Sequence, residues 1–217
     1  MTDLLSDETL SRSSVVANNA MNRERQLAGP NSYAKELGFD PTAGLVPGTA
    51  WLDLCCGSGR ALVQAARPGV EIVGVDLVDA FVPGPHPAGV RLVEADVRAF
   101  APERAFDLVT CVHGLHYVGD KLGLLARVAA WLAPAGRFVA DLDLSSVRLL
   151  DGRPAGRPLT AALRAAGFAY DARRRRLTRT GPATVQLPYG YLGADDRAGP
   201  NYTGQPAVHS YYRELSR

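Results

Sequence analysis

Polar side chains follow several short apolar segments of the chain, at the positions where buried strands would end. The four that stand out are Asp53, Asp76, Asp96 and His113. Ligands of open α/β sheets bind at the carboxyl ends of the strands, so we expect these side chains to line one crevice. A carboxylate at the end of the second strand can accept both hydrogen bonds of a ribose diol. The spacing therefore predicts a site for a nucleotide-type cofactor.

A glycine-containing turn, Gly57-Ser58-Gly59, follows the first of these carboxylates and precedes a helix-compatible segment, 60–67. Glycine lets the backbone come close to a ligand, and the start of a helix presents unpaired N–H groups. Taken alone the turn is weak evidence, because many α/β turns contain glycines for geometry only. Leu62 is bulky at the place where dinucleotide-binding turns carry a small residue, which weighs against that class of cofactor.

Two histidines, His113 and His116, lie just past the predicted fourth strand and are the candidate catalytic bases. An imidazole with an ordinary pKa of about 6.5 can take a proton from an acceptor near neutral pH. Two alternatives stay open: His113 only lines the cofactor, and His116 makes a structural hydrogen bond at the start of a helix. The pair also has a metal-binding spacing, but we expect no metal because no third ligand is evident nearby.

Five predicted strands and two helices must position these groups. The strands are 51–54, 70–77, 90–97, 106–112 and 136–144, and the helices are 60–67 and 121–132. The crossover 79–89 contains three prolines, so we expect it to be mostly loop. Before the first strand we predict helices over 13–27 and 32–37.

The region after residue 145 is predicted to complete the sheet. A helix over 159–167 precedes two strands, 168–178 and 183–192, which are joined at Gly181-Pro182. The last segment, 207–215, fits a helix or a strand equally well.

Five segments in this order resemble the class I S-adenosylmethionine-dependent methyltransferases. They are LDLCCGSG, VGVDL, VEADV, FDLVTCVHGLHYV and LAPAGRFVADLDL, and they cover about residues 50–145. The resemblance implies an α/β, Rossmann-like three-layer sandwich with a mostly parallel seven-stranded sheet and an antiparallel C-terminal strand. It also implies an N-terminal helical lid over 1–49 and a methyltransferase domain over 50–217, with its core at 50–145 and a sheet-closing hairpin and tail at 146–217. Cys55 stands where the family has its first turn glycine, and a positive φ would be disfavoured there.

The resemblance also implies a site for S-adenosyl-L-methionine, which leaves as S-adenosyl-L-homocysteine. The cofactor-binding residues would be Asp53, Cys55, Gly57, Gly59, Asp76, Leu77, Asp96, Val97, Cys111, His113 and Tyr33. Asp53 and the glycine turn would hold the methionine portion. Asp76 would accept from the ribose hydroxyls, and Asp96 from the adenine amino group.

The predicted lid carries side chains that suit the methionine end of this cofactor. Tyr33 would reach the methionine carboxylate or lie near the sulfonium, an aromatic–cation contact. Arg23 and Arg25 would pair with the carboxylate, which a guanidinium binds through two hydrogen bonds. The alternative for each is ordinary surface charge or packing.

Methyl transfer asks the protein mainly to position an acceptor in line with the bond that breaks. The compact lid favours a small-molecule acceptor methylated on O or N, and the arginine-rich composition favours bacterial specialised metabolism. The candidate acceptor contacts are Tyr117, Asp141 and Tyr202. Other interpretations stay open for each: a core aromatic, a strand-end cap, and a dimer contact or packed terminus.

Composition and charge exclude several other partners. The net charge of +2 is too small to indicate a polyanion, and the arginine run at 173–176 lacks interleaved aromatics, so we expect no nucleic acid. No apolar run approaches the ~20 residues that span a bilayer, so we expect no membrane. Three cysteines without a disulfide framework favour a reducing, cytoplasmic location. We expect a monomer or a homodimer.

Two other functions fit the same residues. One is an NAD(P)-dependent oxidoreductase with a Rossmann-type fold, against which Leu62 and the short crossover at 79–89 weigh. The other is a non-catalytic regulator that binds S-adenosylmethionine. Binding of NAD alone would favour the first, and cofactor binding without methyl transfer would favour the second.

Overall fold

A seven-stranded sheet forms the centre of the computed structural model, which describes residues 3–17 and 24–215. Within these residues the strands are β1 (Ala50–Leu54), β2 (Glu71–Asp76), β3 (Val90–Glu94), β4 (Phe106–Cys111), β5 (Leu132–Asp141), β6 (Val147–Leu149), β7 (Ala169–Asp171), β8 (Arg176–Thr180), β9 (Tyr189–Asp195) and β10 (His209–Glu214). The central sheet has the order β3-β2-β1-β4-β5-β8-β7. Its neighbours are parallel except β5 with β8 and β8 with β7, so β8 runs opposite to the rest. The predicted α/β, Rossmann-like fold with an antiparallel strand is confirmed.

Helices cover both faces of this sheet. The described helices are α1 (Asp7–Ser11), α2 (Tyr33–Leu37), α3 (Arg60–Gln64), α4 (Lys121–Ala130) and α5 (Gly156–Ala165). Alternate residues of β1 point to opposite faces, so Leu52 packs on the side of α4 and α5, whereas Trp51 packs on the side of α2 and α3. The predicted three layers follow, with apolar side chains on both faces of the central strands.

Leu62 keeps α3 close to the sheet despite its size. This fully buried side chain lies over Gly74 of β2, where an added Cβ would come within 2.5 Å of Leu62 Cδ1. The helix therefore carries the large residue and the strand carries the small one. Helix and strand therefore still pack closely, although the small residue is on the strand here and on the helix in dinucleotide-binding turns.

The C-terminal third differs from the sequence prediction. The predicted strand over 168–178 is two strands, β7 and β8, joined by a turn at 172–175. Asp171 starts the turn, because its Oδ1 accepts hydrogen bonds from the backbone N–H groups of Arg173 and Arg174. The predicted pairing across Gly181-Pro182 is wrong, since β8 pairs with β5 and β7 instead.

A second sheet of three strands has the order β6-β10-β9. The undecided segment 207–215 contains β10 and is therefore a strand. Lys121 ties this sheet to α4, because its buried Nζ donates to Val118 O, Val208 O and Ser210 Oγ at 2.8–2.9 Å. Burial lowers the pKa of Lys121 to about 7.

Of the two predicted N-terminal helices, the one over 32–37 is confirmed by α2. The one over 13–27 does not form in 13–17 or 24–27, which are turns, bends and a single β-bridge, and 18–23 lie outside the described residues. The crossover 79–89 has no helix, as predicted. No helix in the described part of the chain is both long and apolar enough to cross a membrane.

Candidate functional site

The loop between β1 and α3 brings backbone N–H groups to the carboxyl end of the sheet. Its φ angles are positive at Cys55 (57°), Gly57 (60°) and Gly59 (70°). Cys55 thus adopts the left-handed conformation that is unfavourable for a side chain, and the surrounding structure must hold it there. Gly59 has no room for a side chain, because a Cβ would lie 2.6 Å from Leu92 Cδ1.

Asp76 ends β2 and turns its carboxylate towards this loop. Its Oδ2 accepts a hydrogen bond from Gly57 N at 2.8 Å, and its Oδ1 accepts one from Val78 N at 3.2 Å. The two backbone donors fix the orientation of the carboxylate, which forms part of a cavity wall. A carboxylate oriented in this way is an acceptor for the hydroxyl groups of a ligand.

This first cavity follows the carboxyl ends of β1, β2, β3 and β4. The predicted site residues in its wall are Tyr33, Cys55, Gly57, Asp76, Leu77, Asp96, Val97, His113 and Tyr117. Leu10, Val15 and Val16 add apolar surface from the N-terminal segment. Four strand ends and the segment before β1 therefore meet at one crevice.

Three predicted cofactor contacts, Asp53, Gly59 and Cys111, lie outside that wall. Asp53 is fully buried beneath it and accepts hydrogen bonds from Tyr33 Oη at 2.5 Å and from the Thr110 hydroxyl. Burial raises the pKa of Asp53 to about 7. Asp53 was predicted to contact the methionine portion, but it lies beneath the cavity wall, with one oxygen accepting from Tyr33 and the other from Thr110.

Tyr33 contributes its ring to the cavity wall, since its hydroxyl bonds Asp53. The ring also stands edge-on to Trp51 at a centroid distance of 5.9 Å. Arg25 lines the same wall, and its Nη1 lies 3.1 Å from Glu36 Oε1. That nitrogen makes no hydrogen bond in the described part of the chain. The companion prediction for Arg23 lies outside the described residues.

Asp96, which follows β3, is held by an arginine that the sequence analysis missed. Arg98 Nε donates to Asp96 Oδ1 at 3.0 Å, and Arg98 also forms an ion pair with Asp7 of α1. These contacts attach α1 to the end of the cavity that Asp96 and Val97 line. No sequence signal links Arg98 to Asp7, because the two are far apart along the chain.

His113 lies between two carboxylates. Its Nε2 is 3.1 Å from Glu36 Oε2, and its Nδ1 is 3.9 Å from Asp141 Oδ2. Burial raises the pKa of Glu36, but its hydrogen bond to His113, the charge of that histidine and Arg25 outweigh burial and leave the pKa lowered. Burial raises the pKa of Asp141, against the opposing effects of His113 and Arg176. The imidazole therefore has a carboxylate near each of its two ring nitrogens.

His116, the other predicted base, does not reach either cavity. Its side chain is 1% exposed, and neither ring nitrogen has a hydrogen-bond partner within the described residues. The ring stacks on His113 and meets Tyr202 edge-on. Burial lowers the pKa of His116 to about 3. The structure thus corrects the predicted position of His116, because a packed neutral ring lies where a base facing the acceptor was expected.

A second cavity, of about 330 Å³, adjoins the first. The residues that line both are Arg25, His113 and Gln205. Two predicted acceptor contacts, Asp141 and Tyr202, lie in the second cavity. The third, Tyr117, lines the first, and its hydroxyl donates to Gln205 Oε1 at 3.2 Å. The two cavities therefore meet beside His113.

Two arginines of the 173–176 run face the second cavity, which the sequence analysis did not foresee. Arg176 donates to Leu37 O and pairs with Asp141 Oδ1 at 3.0 Å, and Arg174 lines the same cavity. Strand alternation could not have indicated this pair, because Arg174 lies in the turn at 172–175 and only Arg176 lies in β8.

One group of side chains in the described residues has the types and spacing of metal ligands. Glu36, His113 and Asp141 offer ligand atoms that lie within 4.8 Å of one another. Arg25 pairs with the first of these carboxylates and Arg176 with the second. The two guanidinium groups offset the negative charge that a cation would need.

Comparison with known proteins gives a family for most of the chain. Residues 21–181 match a family model described as a methyltransferase domain. The match includes α2, the central strands β1–β5, β7 and β8, and the loop that carries Gly57.

Individual relatives match shorter stretches. The chain is 35% identical over 94 residues to a trans-aconitate 2-methyltransferase of Escherichia coli, covering 42% of this chain and 37% of that protein. It is 31% identical over 119 residues to a ubiquinone biosynthesis O-methyltransferase of Hahella chejuensis, covering 51% and 48%. Among solved structures, a Haemonchus contortus N-methyltransferase in complex with S-adenosylhomocysteine aligns with a TM-score of 0.45 at 20% identity, covering 64% of this chain and 36% of that one. The chain spans less than half the length of these relatives.

Proposed function

Because the chain belongs to the methyltransferase domain family, we propose that it transfers a methyl group from S-adenosyl-L-methionine to an O or N atom of a small molecule. S-Adenosyl-L-homocysteine is the other product. The observation that carries the proposal is the carboxylate of Asp76, which Gly57 N orients at the wall of the first cavity.

The wall of the first cavity offers a matching group for each part of this cofactor. Asp76 accepts from the ribose hydroxyls, while Leu77 and Val97 give apolar surface for the adenine. At the other end, the Arg25 guanidinium suits the carboxylate of the amino-acid portion. With the cofactor in this order along the wall, its methyl-bearing sulfur would lie beside His113, where the two cavities meet.

The cofactor supplies a methyl group that its positive sulfur already activates. The protein positions the acceptor and takes up its proton where one must be removed. We assign that role to His113, which lines both cavities and lies 3.1 Å from Glu36 through its Nε2. Asp141 Oδ2 lies 3.9 Å from His113 Nδ1, so the two carboxylates stabilise the imidazolium that forms.

The acceptor is proposed only as a class. The names of the two curated relatives point to different molecules, trans-aconitate in one and a ubiquinone precursor pathway in the other. The arginine-rich composition supports a place in bacterial specialised metabolism. The three cysteines, all with free thiols, support a reducing cytoplasm.

Calorimetry tests the cofactor and radiolabel transfer tests the reaction. We expect S-adenosyl-L-homocysteine to bind saturably and NAD not to bind. With methyl-labelled S-adenosyl-L-methionine and a panel of small acceptors, we expect label in an acceptor. Saturable binding of NAD alone would overturn the proposal in favour of an oxidoreductase. Binding of S-adenosyl-L-homocysteine without methyl transfer to any acceptor would favour a regulator.

A further inference from the structure

The second cavity has a wall without a single aliphatic side chain among the described residues. Its lining consists of Arg25, Asn31, Glu36, His113, Asp141, Arg174, Arg176, Tyr202, Thr203 and Gln205. An apolar acceptor would remove these polar groups from water without replacing their hydrogen bonds, which is unfavourable. The first cavity differs, because leucine and valine side chains form part of its wall. The second cavity therefore suits a polar molecule.

The charged side chains that line the second cavity give its wall a net positive charge. Three guanidinium groups face two carboxylates, so the wall has one positive charge in excess when His113 is neutral. Arg176 is held by Asp141 and by backbone carbonyls of α2. Arg25 pairs with Glu36. Two of the three arginines thus already have an acidic partner in the wall, and the remaining one is Arg174.

Arg174 is held only weakly. Its Nη1 lies 3.4 Å from Asp171 Oδ2, and the two side chains are 72% and 42% exposed. Exposed ion pairs of this kind contribute little, so a ligand can displace Asp171 at small cost. A guanidinium binds a carboxylate through two parallel hydrogen bonds, which adds geometric specificity to the charge.

From this arrangement we propose that the methyl acceptor is a small polar molecule with a carboxylate that Arg174 binds, while the atom to be methylated lies beside His113. This inference rests on the proposed methyl transfer and names the substrate class of the same site.

The direct test is binding of chosen probes to protein saturated with S-adenosyl-L-homocysteine. The probes are succinate and L-malate, with succinamide as a neutral control of similar size, measured by calorimetry or ligand-observed NMR in 0.15 M salt as a fixed, approximate physiological ionic strength. We expect saturable binding of at least one dicarboxylate and none of succinamide. Arg174→Gln should weaken the dicarboxylate at least roughly tenfold, because it removes a charge-assisted pair.

Arg173→Gln is the matched control. Arg173 is the adjacent arginine of the same exposed turn and is not part of the cavity wall, and its backbone bond to Asp171 survives the change. Equal weakening by both variants, equal binding of succinamide, or no saturable binding of either dicarboxylate would overturn the inference. Failure of wild-type protein to bind S-adenosyl-L-homocysteine would instead overturn the proposed function itself.

Discussion

Leu62 of α3 and Gly74 of β2 are in direct contact, and each has the size that the other requires. A Cβ on Gly74 would also lie 2.8 Å from Cys56 Sγ and from Leu92 Cδ2. A side chain at position 74 would therefore require three neighbouring side chains to shift at once. This contact sets the distance of α3, and of the loop before it, from the sheet.

Gly74→Ala should destabilise the fold by about 1–3 kcal/mol through overpacking. Leu62→Ala should cost about 2–5 kcal/mol, because it leaves a cavity in the core. Since the new methyl group fills part of that cavity, the double variant should lose less than the sum of the two. Urea denaturation of the four proteins measures the coupling. Strict additivity would show that the contact does not limit the packing.

Asp76→Ala should weaken binding of S-adenosyl-L-homocysteine by roughly ten- to a hundredfold, since hydrogen bonds to a charged acceptor contribute about 1.5–3 kcal/mol. Calorimetry measures the affinity. Asp79→Ala is the control, because Asp79 is a nearby exposed carboxylate outside the cavity wall. Equal affinities of the Asp76 variant and wild type would remove Asp76 from the ribose site.

His113→Asn should lower kcat by about 10²–10⁴-fold for an acceptor that must lose a proton, with a much smaller change in cofactor affinity. Asparagine is chosen because position 113 has a φ of 60°, which asparagine tolerates best among side chains. His116→Leu, which replaces a packed neutral ring, should retain turnover. The assignment fails if the His116 variant is folded but inactive while the His113 variant turns over normally.

Asp53 should make stability depend on pH in a defined direction. Its pKa of about 7 in the fold lies above its ordinary value, so its contribution is fully present below about pH 4 and is lost as the pH rises through 7. Asp53→Asn removes this titration. The difference in unfolding free energy between variant and wild type should therefore shift in favour of the variant from pH 5 to pH 8. Denaturation curves of both proteins at pH 5 and pH 8 measure this shift. The same difference at both pH values would show that the pKa of Asp53 is not raised by burial.

Methyl transfer should not depend on a divalent cation. Arg25 and Arg176 already pair with the two carboxylates beside His113, so EDTA should leave the rate unchanged. The measurement is turnover in the presence of excess EDTA, followed by addition of Mg²⁺. A loss of rate that Mg²⁺ restores would assign the Glu36–His113–Asp141 group to a metal.

The central sheet and the position of Asp76 could be predicted because both depend on short stretches of sequence. An apolar strand, a glycine turn and an acidic strand end determine where Asp76 lies once neighbouring strands are parallel. The positions of Asp53 and His116 could not be predicted in the same way. Whether a strand-end side chain faces the crevice or the interior depends on partners elsewhere in the chain, such as Tyr33 for Asp53.

The wrong strand predictions in the C-terminal third of the chain have a related cause. The arginine run at 173–176 has no glycine or proline, so nothing in its composition marks the turn that Asp171 starts. The contact of Arg98 with Asp7 joins residues 91 positions apart, and that of Arg176 with Leu37 joins residues 139 positions apart. Local periodicity has no access to such pairs, although they shape both cavities.

The loop that bears Tyr202, Thr203 and Gln205 is closed by its own hydrogen bonds, from Asn201 N to Gln205 O and from Gly204 N to Asn201 O. Lys121 anchors the chain just beyond it, at Val208 and Ser210. Attachment of the tail to α4 and its contribution to the second cavity thus lie in separate stretches of the chain. Substitutions at 201–205 can therefore change the wall of that cavity while the buried Lys121 anchor stays intact.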